Sequence, residues 1–160
     1  MTIRVASHQD IDELYGLWRE LMDEHQAYHP VFGYHPAAEF QLKRMLRHRV
    51  AEKNTRVFVA QGRYRILGLL VASYQMGNPG MHFFRRGYIA ETVVRQAYRR
   101  HGLGRALFQA ALAWLSSQGA DHLELQVAAA NPAALHFWES LGFTPTTVHL
   151  MRPLSTPGTE

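Results

Sequence analysis

At 160 residues, with 47% hydrophobic and 19% charged side chains, the chain has the make-up of a globular domain large enough to bury one core. A formal charge of +4 favours acidic partners, and zero cysteines exclude disulfides, thiolate zinc sites and a cysteine nucleophile. No apolar run approaches the roughly 18 residues that a membrane helix needs, the longest in its region being ILGLLVA at 66–72.

The start, MTIRVASHQD, has no apolar stretch of signal-peptide type, so mature sequence and a cytoplasmic home are the expectation. TIRVAS (2–7) reads as a strand, after which Ser7 caps a helix with Asp10 as a short-armed partner. Ile11, Leu14, Tyr15, Trp18, Leu21 and Met22 mark that helix's buried face by their spacing. Residues 25–36, with two prolines and a glycine, read as a loop. A second, basic helix is expected from about Pro36, turning Phe40, Met45, Leu46 and Val50 inward. RVFVA (56–60) and ILGLLVASYQM (66–76) are strands joined near Gly62, and GNPG (77–80) breaks the second.

YIAETVV (88–94) is a third strong strand, apolar on both faces except for Glu91 and Thr92. Leu103, Ala106, Leu107, Ala110, Ala111, Trp114 and Leu115 then trace a helical stripe that Gly119 ends as a left-handed cap. HLELQV (122–127) is a strand. Asn131 caps a further helix with Pro132 in its first position and Gly142 at its close. VHLMRPL (148–154) reads as a last strand. The order β-α-α-β-β-β-α-β-α-β predicts a single α/β domain over 1–154, a mixed sheet with helices on both faces, and a flexible tail over 155–160.

Between the third strong strand and its helix lies RRHGLG (99–104). A strand that ends in a glycine turn and enters a helix aims free backbone N–H groups at one place, where the helix N-terminus adds partial positive charge. A phosphate could be held there, with Gly102 and Gly104 admitting close backbone approach and Arg99, Arg100 and Arg105 supplying charge. Ordinary turn chemistry is the competing reading. GLGRAL lacks the third glycine of a dinucleotide fingerprint, and no Gly-Lys-Ser/Thr follows as a P-loop requires.

VVRQAYRRHGLGRALF resembles the signature of the GCN5-related N-acetyltransferases (GNAT), Arg/Gln-x-x-Gly-x-Gly/Ala, with Arg99, Gly102 and Gly104 in the three motif positions. Gln96 stands where the family commonly has proline. NPAALHFWESLGF (131–143) is similar to the family's Asn-x-x-Ala…Gly-Phe helix at the expected distance. The resemblance implies a GNAT-like, mostly antiparallel sheet whose strands 88–94 and 122–127 splay into a cleft for acetyl-coenzyme A as co-substrate. The pantetheine arm would bond to the backbone near Val93 and Val94. The amides of Arg99, Arg100, His101, Gly102, Leu103 and Gly104 would hold the pyrophosphate, with Arg105 beside them. Asn131 would touch the coenzyme, a role that can coexist with a plain helix cap.

The implied reaction is direct attack of a primary amine on the thioester. An alkylamine has a pKa of about 10.4, so a proton must be removed at neutral pH. Glu91 is the first candidate base and His82 the second; the alternative for Glu91 is pairing with an arginine or lining the pocket. Many family members carry a tyrosine seven residues after the asparagine to protonate the thiolate. Here that position is Trp138, which cannot usefully supply a proton and is expected as core or as a wall of the coenzyme channel.

His25, His29, His35 and His48 invite a metal reading, but their irregular spacing encodes no convergent site, and no metal is expected. By position, Tyr28, His29, Phe32, Tyr34 and His35 would border the acceptor pocket. KRMLRHR (43–49) lacks interleaved aromatics, which disfavours nucleic acid as a partner. A non-catalytic acyl-coenzyme A binding or sensing module is the alternative to the enzyme. The acceptor, a small-molecule or peptide amine, is not fixed by the sequence, nor is the homodimer that such relatives commonly form.

Overall fold

The computed structural model describes residues 1–155. The elements run β1 (Thr2–Val5), α1 (Ile11–Gln26), α2 (Glu39–Ala51), β2 (Thr55–Gln61), β3 (Ile66–Met76), β4 (Arg85–Val94), α3 (Leu103–Ser117), β5 (His122–Leu125) and α4 (Pro132–Ser140). Short 3-10 turns at His8–Asp10, Pro30–Phe32 and Gln96–Tyr98 precede α1, α2 and α3. The five strands form one sheet in chain order, antiparallel except for the parallel pair β4–β5.

Alternation along the central strands feeds two cores, because successive side chains of a strand point to opposite faces. Val57, Val59, Leu69 and Val71 pack under α1 and α2 with Leu14, Leu17, Trp18 and Leu46. Their neighbours Phe58, Ala60, Leu70 and Ala72 pack on the other face against Leu107, Phe108, Ala111 and Leu115 of α3 and Trp138 of α4. Both faces are therefore buried, which explains why β2 and β3 read as nearly continuous apolar runs.

Local chemistry sets the element ends. The Ser7 N–H donates to the Asp10 carboxylate at 2.7 Å, and Arg4 clamps Asp10 from β1 with bonds of 2.8 and 2.9 Å. The Arg4 guanidinium holds the Asp10 carboxyl below its ordinary range. Gly119 and Gly142, at φ of +89° and +96°, end α3 and α4 in the left-handed conformation that glycine adopts without steric cost. Two expectations fail. Phe40 is 69% exposed, and α2 instead buries Leu46 with Leu42, Met45 and Val50 packed alongside, because Phe40 stands about 120° around the helix from Leu46. Residues 148–154 form no strand: after α4 this segment pairs with no strand among the described residues, with Val148, Leu150 and Leu154 between 83% and 92% exposed. The expected tail lies, from residue 156 on, outside the described residues. Among the described residues no helix is long and apolar enough to cross a membrane.

Candidate functional site

The site begins at an irregularity in β4. Thr92 lies opposite Leu70 and Ile89 opposite Ala72, so Ala90 and Glu91 together face the single residue Val71. That extra residue is a β-bulge, which bends the strand and re-aims its side chains. β5 follows β4 only from Arg86↔His122 to Ile89↔Leu125. Beyond Ile89 the two strands part, leaving the β4 edge from Ala90 to Val94 open toward β5, as expected of the splayed pair.

The open edge leads to the N-terminus of α3. Arg100 is the one non-glycine residue with positive φ among the described residues, at +63°, and Gly102 follows at +81°. Gly102 is the cap residue and offers no side chain, while the first bond into the helix runs from the Ala106 N–H to the Gly102 carbonyl. The amides of Leu103, Gly104 and Arg105 thus precede the helix ladder and remain available as donors. Arg100, His101 and Arg105 stand exposed around them. Arg99 does not: its Nε donates to the Val94 carbonyl at 2.8 Å and its guanidinium pairs with Glu24 at 2.5 Å, fastening the loop to β4 and α1. Gly104 has a packing constraint as well. A Cβ there would lie 3.3 Å from the Phe137 ring, so its smallness serves the contact between α3 and α4.

Glu91 lies at the bulge on the α2 side and accepts a hydrogen bond from the Arg49 guanidinium through Oε2. Its Oε1 accepts none from the described residues. Beside this pair opens a cavity of about 640 Å³, walled by Met45 and Arg49 of α2, by Glu52 just after it, by Val71 and Ser73 of β3, and by Tyr88 and Ala90 of β4, with Glu91 itself outside the wall. Neither Arg49 nor this wall was singled out in the sequence. Arg49 was hidden among the basic residues of KRMLRHR, whose charges otherwise look alike.

The family's sequence model for the acetyltransferase (GNAT) family matches residues 18–143. The chain belongs to the GNAT family. It is 55% identical over 53 residues to the mycothiol acetyltransferase of Thermobispora bispora, a match covering 33% of this chain and 18% of that protein. It is 41% identical over 63 residues to the [ribosomal protein bS18]-alanine N-acetyltransferase of Escherichia coli, covering 39% and 43% respectively. The chain thus matches less than half the length of these curated relatives. Among solved structures, a tetramutant of the BH1408 protein from Bacillus halodurans superposes with a TM-score of 0.85 at 25% identity, covering 96% of this chain and all of that one.

Within this GNAT fold the remaining candidates take clear places. Asn131 caps α4, its Oδ1 accepting from the Ala134 N–H at 3.2 Å, which leaves its amide NH2 unengaged with the described residues. Trp138 is 7% exposed and sits edge-on to Phe108, Phe137 and Phe143. It is core. Val93 is buried in the α1–α2 core, while Val94 packs toward α3. The Thr92 hydroxyl is buried with no partner among the described residues, an orphan at the open edge.

The loop after α1 folds on itself: His25 stacks edge-on with Tyr28 and Phe32, His29 accepts from the Val31 N–H, and Tyr34 donates to Asp23. The cavity beside Glu91 takes no wall from Tyr28, His29, Phe32, Tyr34 or His35. His82 is exposed in the connection from β3 to β4. Among the described residues no group of three or more His, Asp or Glu could hold a metal.

One further cluster lies on β5. His122 is held by Asp121 through Nδ1 and by Glu124 through Nε2, each at 2.7 Å, and Arg86 reaches Glu124 at 3.2 Å. Burial disfavours the His122 cation, but the two carboxylates outweigh it and raise the imidazole above its ordinary value. The same pairing, with N–H bonds from Arg85 and Phe84, overcomes burial and lowers the Asp121 carboxyl.

Proposed function

We propose that this protein is an acetyl-coenzyme A-dependent N-acetyltransferase acting on a primary amine. One observation carries the reading: the bulged β4 opens an unpaired edge that runs directly into the donor-rich turn at Arg100–Gly104. The orphaned Thr92 hydroxyl and the open space at Gly102 fit a ligand lying along that edge. Backbone amides of Leu103, Gly104 and Arg105, with Arg100 and Arg105 around them, suit a pyrophosphate. The NH2 of Asn131 and the backbone at Val93 and Val94 suit the pantetheine arm.

Acetyl-coenzyme A would supply an activated acetyl thioester. The chain's own part is to hold the amine and take its proton. Glu91, with Oε1 unengaged and Oε2 fixed by Arg49, is oriented to accept that proton directly or through water. The cavity beside it, of about 640 Å³, is of a size for a small-molecule amine or the end of a peptide. A cytoplasmic location and one domain over 1–154 belong to the same proposal.

Thermal unfolding with acetyl-coenzyme A, against a pantetheine fragment without phosphates, tests it. At 100 times its dissociation constant a ligand adds about 2.7 kcal/mol, enough to raise Tm by several degrees. A shift with the coenzyme and none with the fragment assigns the Arg100–Gly104 turn to the pyrophosphate. No shift with either, in folded protein, overturns the reading.

A further inference from the structure

The bulge in β4 decides to which face of the sheet each side chain goes. Glu91 reaches Arg49 of α2, on the side that also buries Val93. Thr92 falls on the other side. Its cross-strand partner Leu70 lies in the core under α3 and α4, and Val94, two residues along, packs against that same core. Two adjacent residues thus carry a carboxylate and a hydroxyl to opposite flanks of one open edge.

A buried hydroxyl ordinarily has a hydrogen-bond partner, because leaving it bare forfeits its hydration. Thr92 Oγ1 has none among the described residues. Valine has the same outline and would carry no such cost beside Leu70 and Val94. The hydroxyl is therefore matched to an acceptor that enters the edge from outside the fold. Acetyl transfer brings one: negative charge builds on sulfur as the acetyl group leaves it. Trp138, on the same side of the sheet, is closed in by Phe108, Phe137 and Phe143 and has no proton to give.

We propose that the Thr92 hydroxyl donates a hydrogen bond to the departing coenzyme sulfur, while Glu91 serves the amine from the opposite flank. This inference rests on the proposed acetyl transfer and adds the residue that meets the leaving group. The amine nitrogen bonds to the acetyl carbon, the electron pair of the C–S bond stays on sulfur, and the amine's surplus proton goes to Glu91. Thr92 keeps its own proton. The sulfur, whose thiol has a pKa of about 8.5, takes a proton afterwards from water. A donor fixed where charge develops counts most where water is kept out.

The test compares Thr92→Val and Thr92→Ser with the wild type, using coenzyme A itself as the probe. Without coenzyme, Thr92→Val melts no lower than the wild type, since it removes an unpartnered group. With coenzyme A bound, the thiol is titrated by the ultraviolet absorbance of its thiolate. Its pKa lies about one unit higher in Thr92→Val than in the wild type, a tenfold loss of preference for the thiolate. Thr92→Ser, which keeps the hydroxyl, stays within about half a unit of the wild type. Acetyl-coenzyme A, which has no free thiol, binds wild type and Thr92→Val within about twofold of each other. Equal thiol pKa values in wild type and Thr92→Val overturn the inference and leave the coenzyme reading standing. A Thr92→Val chain that melts several degrees lower also overturns it, the hydroxyl then being bonded within the fold. Coenzyme A that fails to bind the wild type overturns the proposed function, and this inference with it.

Discussion

At the scale of single residues, the proposed site turns on a carboxylate of which one oxygen alone is engaged among the described residues. Glu91 gives Oε2 to Arg49 and keeps Oε1 open. If that oxygen takes the proton of the amine, Glu91→Gln lowers kcat/KM by about 100-fold while the affinity for acetyl-coenzyme A stays within about twofold. A loss smaller than about threefold across pH would leave Glu91 a structural partner of Arg49 and nothing more. The glutamate itself was legible, being the only charge in the strand expected over 88–94; the arginine was not, since a salt bridge joining residues 42 apart leaves no trace in local spacing. Trp138 was legible as a departure from the family's usual tyrosine. Its place among three aromatic rings shows why indole is at home there.

His122 offers a second test at this scale. It is faced by Asp121 and Glu124, with the Arg86 cation on Glu124 and the Phe83 ring 5.7 Å away. Because folding raises its pKa above the ordinary 6.5, the cation is favoured in the native state. The stability it contributes is full below about pH 6.5 and fades as pH rises through the elevated folded value. The Tm gap between the wild type and His122→Gln should therefore narrow between about pH 6 and pH 9. A gap that widens with pH would contradict the assignment.

At the scale of elements, most boundaries followed from turn chemistry. β3 spans the expected residues, and Gly119 and Gly142 end their helices as caps. What spacing could not show was the bulge, because an extra residue in β4 is defined only by its partner β3. The turn into α3 was readable as a glycine loop, yet its second left-handed residue, Arg100, carries no such signature. Gly102 gives the cleaner experiment, since a Cβ there meets no atom within 4 Å and only its φ of +81° is at stake. Gly102→Ala should cost about 1–2 kcal/mol in urea unfolding and weaken acetyl-coenzyme A binding, as the amides before α3 swing out of line. Unchanged stability and affinity would mean the turn tolerates a different path.

At the scale of the whole molecule, the order of the elements from β1 to α4 and two-sided burial were legible from apolar runs flanked by amphipathic helices. The fate of the last apolar segment was not. Alternation predicts a strand there, yet residues 148–154 pair with no strand among the described residues. The two cores share β2, β3 and β4, so they should melt together. Leu14→Ala beneath α1 and Leu107→Ala in α3 should each cost about 2–5 kcal/mol, with one unfolding transition retained. Separate transitions for the two variants would show that the halves fold independently.

The ties that hold the turn also divide the labour of change. The cavity beside Glu91 draws its walls from the end of α2, β3 and β4, while the turn before α3 is fastened by Arg99 to the Val94 carbonyl and to Glu24 of α1, neither of which lines that cavity. Substitutions that reshape what the cavity admits can accumulate without disturbing the packing that sets that turn. On the proposed activity, a lineage built on this chain would exchange one amine for another while the ties around the coenzyme turn stay as they were.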